Sequence, residues 1–181
     1  MSDTQSPIFL FLDLETTGLD PSACSIIEVA VKAVTMDSTK LVHLDGFQYI
    51  VQSDSKTLWE PDALEFHQKN GLYEASRKSN HSTIYVRERL ELFVQELSYQ
   101  SCGIHLAGNT IHFDLGFLKA HWPETLTHLH YRVVDVSSFK VVGKALGLLE
   151  QEKVGKTHRA MDDVEASISE LLYWIEAFRE V

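Results

Sequence analysis

Ile8-Phe9-Leu10-Phe11-Leu12-Asp13-Leu14-Glu15-Thr16-Thr17-Gly18 is the stretch on which the rest of the chain turns. Five apolar residues read as a buried strand, and two carboxylates one residue apart follow them. On an extended chain residues i and i+2 share a face. Asp13 and Glu15 therefore aim at one small volume where the apolar run ends and the Thr16-Thr17-Gly18 turn begins. Two acids placed so repel each other and lose hydration, unless a divalent cation sits between them. Hard cations such as Mg²⁺ take oxygen ligands and keep some water, so the strand reads as one wall of a metal site. Taken alone, an Asp-x-Glu after an apolar run is more often a polar strand end than a pair of ligands.

Three further residues change that balance. Asp114 closes Gly108-Asn109-Thr110-Ile111-His112-Phe113-Asp114, which follows the short apolar stretch from Ile104 to Ala107. His158 and Asp163 bracket His158-Arg159-Ala160-Met161-Asp162-Asp163. Were all of 158–163 helical, His158 and Asp163 would lie roughly 140° apart around the axis and could not face one centre. Convergence requires His158 on the loop before a helix, with Asp163 one turn inside it. Gly155 and Thr157 supply the loop, and the apolar period Val164, Ile168, Leu171, Leu172, Ile175 supplies the helix. Asp163 is then a rigid ligand, and His158 keeps the freedom to move protons. Asp162, roughly 100° from its neighbour on a helix, reads as a solvated or capping acid.

Asp13-x-Glu15, Asp114 and His158-x4-Asp163 resemble, in that order, the DEDDh group of 3′→5′ exonucleases, and the likeness is closer to one branch, oligoribonuclease. Asp13-Leu14-Glu15-Thr16-Thr17-Gly18-Leu19-Asp20, His130-Tyr131-Arg132-Val133-Val134-Asp135-Val136-Ser137-Ser138 and Thr157-His158-Arg159-Ala160-Met161-Asp162-Asp163 look like its motifs. Asn109 lies five residues before Asp114, as in oligoribonuclease, whereas proofreading exonucleases usually place it four before. The resemblance spans about residues 8 to 178 and implies the ribonuclease H-like fold. It implies that Asp13, Glu15, Asp114 and Asp163 hold two Mg²⁺ or Mn²⁺, about 3.5–4 Å apart as in other two-metal sites. One ion would activate the attacking water and the other would stabilise the leaving 3′ oxygen. His158 would be the general base, imidazole having a reference pKa near 6.5, suited to accepting a proton at neutral pH.

The resemblance also implies a substrate cap. Arg132, Ser137, Ser138 and Thr110 would close over the 5′ phosphate of a dinucleotide through charge-assisted and neutral hydrogen bonds, making substrate length a matter of geometry. Tyr131 would stack on a base across a homodimer interface, and Leu19 would wedge between the two bases. Without the resemblance Arg132 reads as a surface charge and Tyr131 as an interior or edge aromatic. His112 departs from the oligoribonuclease pattern, which usually has a small residue there. His67, His105, His121, His128 and His130 lack the spacing of a zinc site and read as surface or core groups. Around Trp59-Glu60-Pro61 and from His67 to Leu72 the match is looser, and no role follows.

Composition sets the outer limits. A chain of 181 residues, 44% hydrophobic and 23% charged, reads as a single exonuclease domain over 1–181 with a sizeable core. No signal-peptide pattern or bilayer-length apolar run is present in the sequence, and two cysteines, Cys24 and Cys102, fit reduced thiols, so a cytoplasmic protein away from membranes is expected. Net charge is −10, from 16 basic and 26 acidic residues. Proteins that grip long nucleic acid neutralise many phosphates with Lys and Arg, so this balance suits a substrate of a few nucleotides.

Residues 8–12, 26–34 and 46–51 read as an antiparallel meander joined by turns at Asp20-Pro21 and Met36-Asp37-Ser38. Helices are expected near 62–68 and 84–97, then a strand at 103–107, a helix near 113–120, a strand at 133–136 leading to another helix, and a long helix from about 160 to 178. This is an α/β pattern, a three-layer sandwich with a mixed central sheet. The leading expectation is a 3′→5′ exoribonuclease acting on very short RNA. A broader exonuclease on single-stranded DNA or RNA, with short DNA among its substrates, and a catalytically silent nucleic-acid-binding module are the alternatives.

Overall fold

The computed structural model describes residues 6–37, 40–149 and 158–179. The opening apolar run becomes β1 (Ile8–Thr16), longer than the expected 8–12. Its antiparallel partner β2 (Ile26–Asp37) stays in register past the apolar stretch, pairing Asp13 with Ala30 and Glu15 with Glu28. Asp13 and Glu15 thus lie inside the strand rather than beyond its end, because a backbone ladder continues where hydrophobicity stops. β3 (Lys40–Ile50) completes the meander. It begins well before the expected residue 46, since its outer half is exposed and carries no apolar alternation to reveal it. Ser38 of the expected turn, and the loop assigned to Gly155 and Thr157, lie outside the described residues.

Helices α1 (Pro61–Lys69), α2 (Leu72–Lys78) and α3 (Thr83–Ser98) follow. α2 was not expected; only Leu72 and Ser76 of it are buried, so it has no apolar stripe to read. β4 (Ile104–Gly108) returns beside β1 in parallel. Next come α4 (His112–His121), a 3₁₀ turn (Pro123–His128), β5 (Val134–Asp135) parallel to β4, α5 (Val136–Ala145) and α6 (Ala160–Ala177). The sheet order is β3-β2-β1-β4-β5, mixed as expected.

Alternation along β1 distributes the core. Ile8, Leu10, Leu12 and Leu14 pack with Val86, Leu90, Phe93 and Val94 of α3 and with Phe117 and Leu118 of α4. On the other face Phe11 packs with Ala30 and Val34 of β2 and with Val164, Ile168, Leu171 and Trp174 of α6. Each such side chain contributes about 1.5–3 kcal/mol when fully buried. The period of two carries Asp13 and Glu15 onto the Phe11 face, which is the face α6 covers. Gly108 sits where β4 leaves the sheet, and a Cβ there would stand 2.9 Å from the Leu12 carbonyl oxygen. That close approach brings the start of α4 up against the acidic end of β1. No helix among the described residues is long and apolar enough to cross a membrane.

Candidate active site

Asp13 and Glu15 from β1 meet Asp163 from the first turn of α6, with one carboxylate oxygen of each lying within 4.8 Å of the others. The third acid arrives because Val164, the next residue, and Ile168, about a turn further on, dock α6 onto the Phe11 face. Asp162 is exposed, in keeping with its place on the helix. Asp114, buried in the first turn of α4, stands beside this triangle without completing it: its Oδ1 accepts the Leu14 N–H at 2.9 Å, fastening α4 to β1 between the two strand acids.

Burial and mutual repulsion dominate the electrostatics of these acids. Burial pushes the Glu15 carboxyl up to about 8, with Glu28, Asp163 and Asp114 adding to the rise and Arg159 opposing it. Burial likewise raises Asp114 to about 7, against the Leu14 N–H that favours its anion. Oxygen donors crowded to this degree fit a hard divalent ion, whose charge would remove the repulsion.

His158 precedes α6, as convergence with Asp163 demands, and adopts φ +52°. A non-glycine residue in that left-handed region costs about 1–2 kcal/mol, so its surroundings must hold it there. The Asn70 side-chain amide donates to the His158 carbonyl at 2.9 Å. The Phe66 ring meets the imidazole nearly perpendicularly at 5.0 Å. Arg159, the next residue, reaches into the sheet to the fully buried Glu28. His67 is buried against β1, its Nε2 3.0 Å from the Thr16 carbonyl and 3.8 Å from Glu15 Oε2. Burial lowers its pKa, so it acts as a neutral donor to that carbonyl rather than as half of an ion pair.

The remaining expected residues fall into two groups. Thr110 and Ser137 share Asp135: its Oδ1 accepts the Thr110 N–H at 3.0 Å, the Ser137 N–H at 3.0 Å and the Ser137 hydroxyl at 2.6 Å. His112 Nδ1 lies 3.7 Å from Asp135 Oδ2, which is where the departure from the expected small residue is accommodated. Ser138 is exposed in the same first turn of α5. Tyr131 and Arg132 precede β5, with the guanidinium 5.0 Å from the Tyr131 ring centre and that ring stacked on His130. Their backbone is anchored too, the Arg132 N–H donating to His130 Nδ1 and His105 Nδ1 lying 3.0 Å from the Arg132 carbonyl. Leu19 projects from the β1–β2 turn, three-quarters exposed, while its N–H donates to Glu60 Oε2 at 3.1 Å.

Sequence reasoning gave no role to Glu28, Arg159, Asp135, Glu60 or His67. Two of them left a signal. Glu28 is a lone acid between Ile26-Ile27 and Val29-Ala30-Val31, and Asp135 two residues before Ser137 is a helix N-cap pattern. The others act through partners tens of residues away.

Residues 10–171 match the exonuclease family RNase_T. Oligoribonuclease of Colwellia psychrerythraea is 34% identical over 173 residues, covering 93% of this chain and 94% of the relative. That of Rhodococcus jostii is 32% identical, covering 91% and 84%, and the mitochondrial oligoribonuclease of Homo sapiens is 33% identical, covering 91% and 70%. Among solved structures, a 3′-exonuclease described for 3′-end specific recognition of a histone mRNA stem-loop superposes with TM-score 0.66 at 15% identity, over 96% of this chain and 65% of its own. E. coli Exonuclease I in complex with a dT13 oligonucleotide gives 0.62 at 18% identity, over 92% and 40%. The structural likenesses establish the fold, that of the ribonuclease H-like exonucleases.

Proposed function

The chain belongs to the exonuclease family and, within it, to the oligoribonucleases, and from this we propose that it removes nucleotides from the 3′ end of very short RNA, above all converting dinucleotides to mononucleotides. It is a nuclease, hence a hydrolase. The observation that carries the proposal is the convergence of Asp13, Glu15 and Asp163 from elements far apart in sequence, with His158 on the turn that leads into the Asp163 helix. Asp114 is assigned as the fourth acid, acting from α4. These acids would hold two divalent ions, Mg²⁺ or Mn²⁺, which lower the pKa of water and stabilise an oxyanion leaving group.

The chain's own groups supply the rest. His158 takes the proton of the attacking water, its exposed ring set edge-to-face against Phe66 while its backbone is held. Arg132 with Ser137, Ser138 and Thr110 binds the 5′ phosphate and closes the substrate channel at one end. Leu19 separates the bases. Tyr131, 79% exposed in the single chain, is assigned to the site of a second copy, so that the working unit is a homodimer. Residues 1–181 function as one exonuclease domain, and the place of action is the cytoplasm.

The test is turnover on labelled RNA and DNA of two to twenty nucleotides in magnesium. Two-nucleotide RNA is expected to be hydrolysed fastest. Equal cleavage of two- and twenty-nucleotide RNA would remove the capped channel and leave a broader exonuclease, and no hydrolysis under any divalent ion would leave a binding module.

A further inference from the structure

We propose that Glu28 and Arg159 are positioning residues whose half-buried ion pair sets where His158 stands, so that turnover rather than substrate binding depends on it. The proposal rests on His158 as the proton acceptor. Glu28 is fully buried in β2. Its Oε1 accepts from Arg159 Nε at 3.1 Å, Arg159 Nη2 at 2.5 Å and Gln48 Nε2 at 2.7 Å, and its Oε2 accepts from Arg159 Nε and the Ala160 N–H, both at 3.1 Å. The Ala160 N–H belongs to the first residue of α6, a helix whose own N-cap, Arg159, makes no side-chain capping bond. Glu28 therefore caps α6 from the sheet face the helix packs on, and grips the residue that follows His158.

The peptide on the other side of Arg159 is held as well, by Asn70 on the His158 carbonyl, while the Arg159 carbonyl accepts the Asp163 N–H at 3.1 Å. His158 thus occupies a left-handed turn with its carbonyl side anchored and the start of the helix locked. Stability alone gives little reason for this arrangement. Glu28 pairs directly with Glu15 in the β1–β2 register, adding a buried acid beside the acidic triangle. Replacing a buried ion pair by apolar residues is often neutral or stabilising. What the pair supplies is a fixed geometry at one end of α6, where the imidazole and Asp163 must share a centre.

A cavity of about 470 Å³ is lined by Gln48, Tyr49, Lys78, His81 and Arg159 itself. It gives a small cation access to Glu28 when the arginine is truncated, which makes the pair testable by rescue. The experiment measures kcat and KM for two-nucleotide RNA in magnesium with Arg159→Ala and Arg159→Lys, each alone and combined with His158→Ala, with folding checked by thermal melting. Arg159→Ala is expected to lower kcat about 10²-fold, the scale of a small misplacement of a reacting group, with KM unchanged. Methylguanidinium at non-denaturing concentration should restore part of that loss, and Arg159→Lys should lie between. In the His158→Ala background the same substitution should cost nothing further, because residues acting through one another are non-additive. Wild-type kcat in folded Arg159→Ala, or an equal loss in both backgrounds, overturns the proposal while leaving His158 as base. Should Arg159→Ala fail to fold, Arg159→Lys, which keeps Glu28 paired with a cation, carries the same comparison. Full activity of His158→Ala alone would overturn the base assignment and the clamp together.

Discussion

A carboxyl held at about 8 keeps its proton through neutral pH unless a cation displaces it, and Glu15 is in that position. Its ordinary value is 4.5, so between about 4.5 and about 8 the folded chain binds a proton that the unfolded chain releases. Stability from this group is then fully present below the lower value and lost as pH rises through the upper one. Asp114 adds the same sign between 3.8 and about 7. The melting temperature of the metal-free protein should therefore fall from pH 5 to pH 8, and magnesium should flatten the slope by taking the proton's place. Glu15→Gln should flatten it without magnesium. A melting temperature in EDTA that climbs over this window would refute the assignment of both shifts. The same repulsion governs the ligand substitutions. Asp13→Ala or Asp163→Ala should abolish hydrolysis yet leave the metal-free melting temperature unchanged or raised, because a competing charge has gone; an active Asp13→Ala protein in magnesium would sink the two-ion reading. His158→Ala should lower turnover by roughly 10²–10⁴-fold with metal affinity retained, and a collapse of that affinity would make His158 a ligand instead.

At the scale of elements, legibility followed burial. β1, β4 and α6 announced themselves because short apolar runs in the two strands, packed on both faces of the sheet, and an apolar period near 3.6 in the helix are buried as such patterns predict. β3 and α2 did not, since an exposed edge strand and a seven-residue helix with two buried side chains carry no such period. Asp13, Glu15 and Asp163, which the fold brings together, were readable for the same reason: each sits at a fixed step from an apolar pattern. Glu28 stood out as a lone acid in an apolar run, but its pairing with Arg159, like that of Glu60 with Leu19, was not readable, because contacts 131 and 41 residues apart leave no local trace of the partner. Asp135 lies between these cases, visible as a cap but not as the junction of Thr110, Ser137 and His112. Asp135→Ala should lose about 1 kcal/mol of stability with the cap and, more tellingly, reduce the preference for a 5′-phosphorylated dinucleotide over the unphosphorylated one. An unchanged preference would separate α5 from the cap. On the opposite face of α5, a Cβ at Gly143 would stand 2.1 Å from the Trp174 ring. Gly143→Ala should therefore cost about 1–3 kcal/mol by overpacking α5 against α6, measured by urea unfolding. A neutral result would mean the two helices can slide apart.

For the molecule as a whole, the net charge of −10 sets the context in which the substrate arrives. A long polyanion meets an acidic surface, whereas under the proposed reading a dinucleotide would need only one arginine, three hydroxyls and the divalent ions. Arg132→Ala should accordingly erase most of the advantage of a 5′ phosphate, since a charge-assisted contact is lost, and should cleave longer oligonucleotides comparatively well, since a barrier is lost with it. Tyr131 and Leu19, 79% and 75% exposed, present large apolar groups to solvent. A second copy related by a two-fold axis would supply what a single chain lacks, each Tyr131 serving the partner's substrate. That arrangement makes a prediction no monomer can satisfy. Subunits carrying Tyr131→Ala keep an intact metal centre, and subunits carrying Asp163→Ala keep an intact tyrosine; each homodimer alone should be inactive or nearly so. When the two are mixed and allowed to exchange, half of the randomly paired dimers are mixed, and each has one site with both components. Activity should then rise to about a quarter of the wild-type rate for two-fold pairing. No recovery despite exchange confirmed by differential labelling would place Tyr131 in its own subunit's site, or in none, and would make the active unit the single chain.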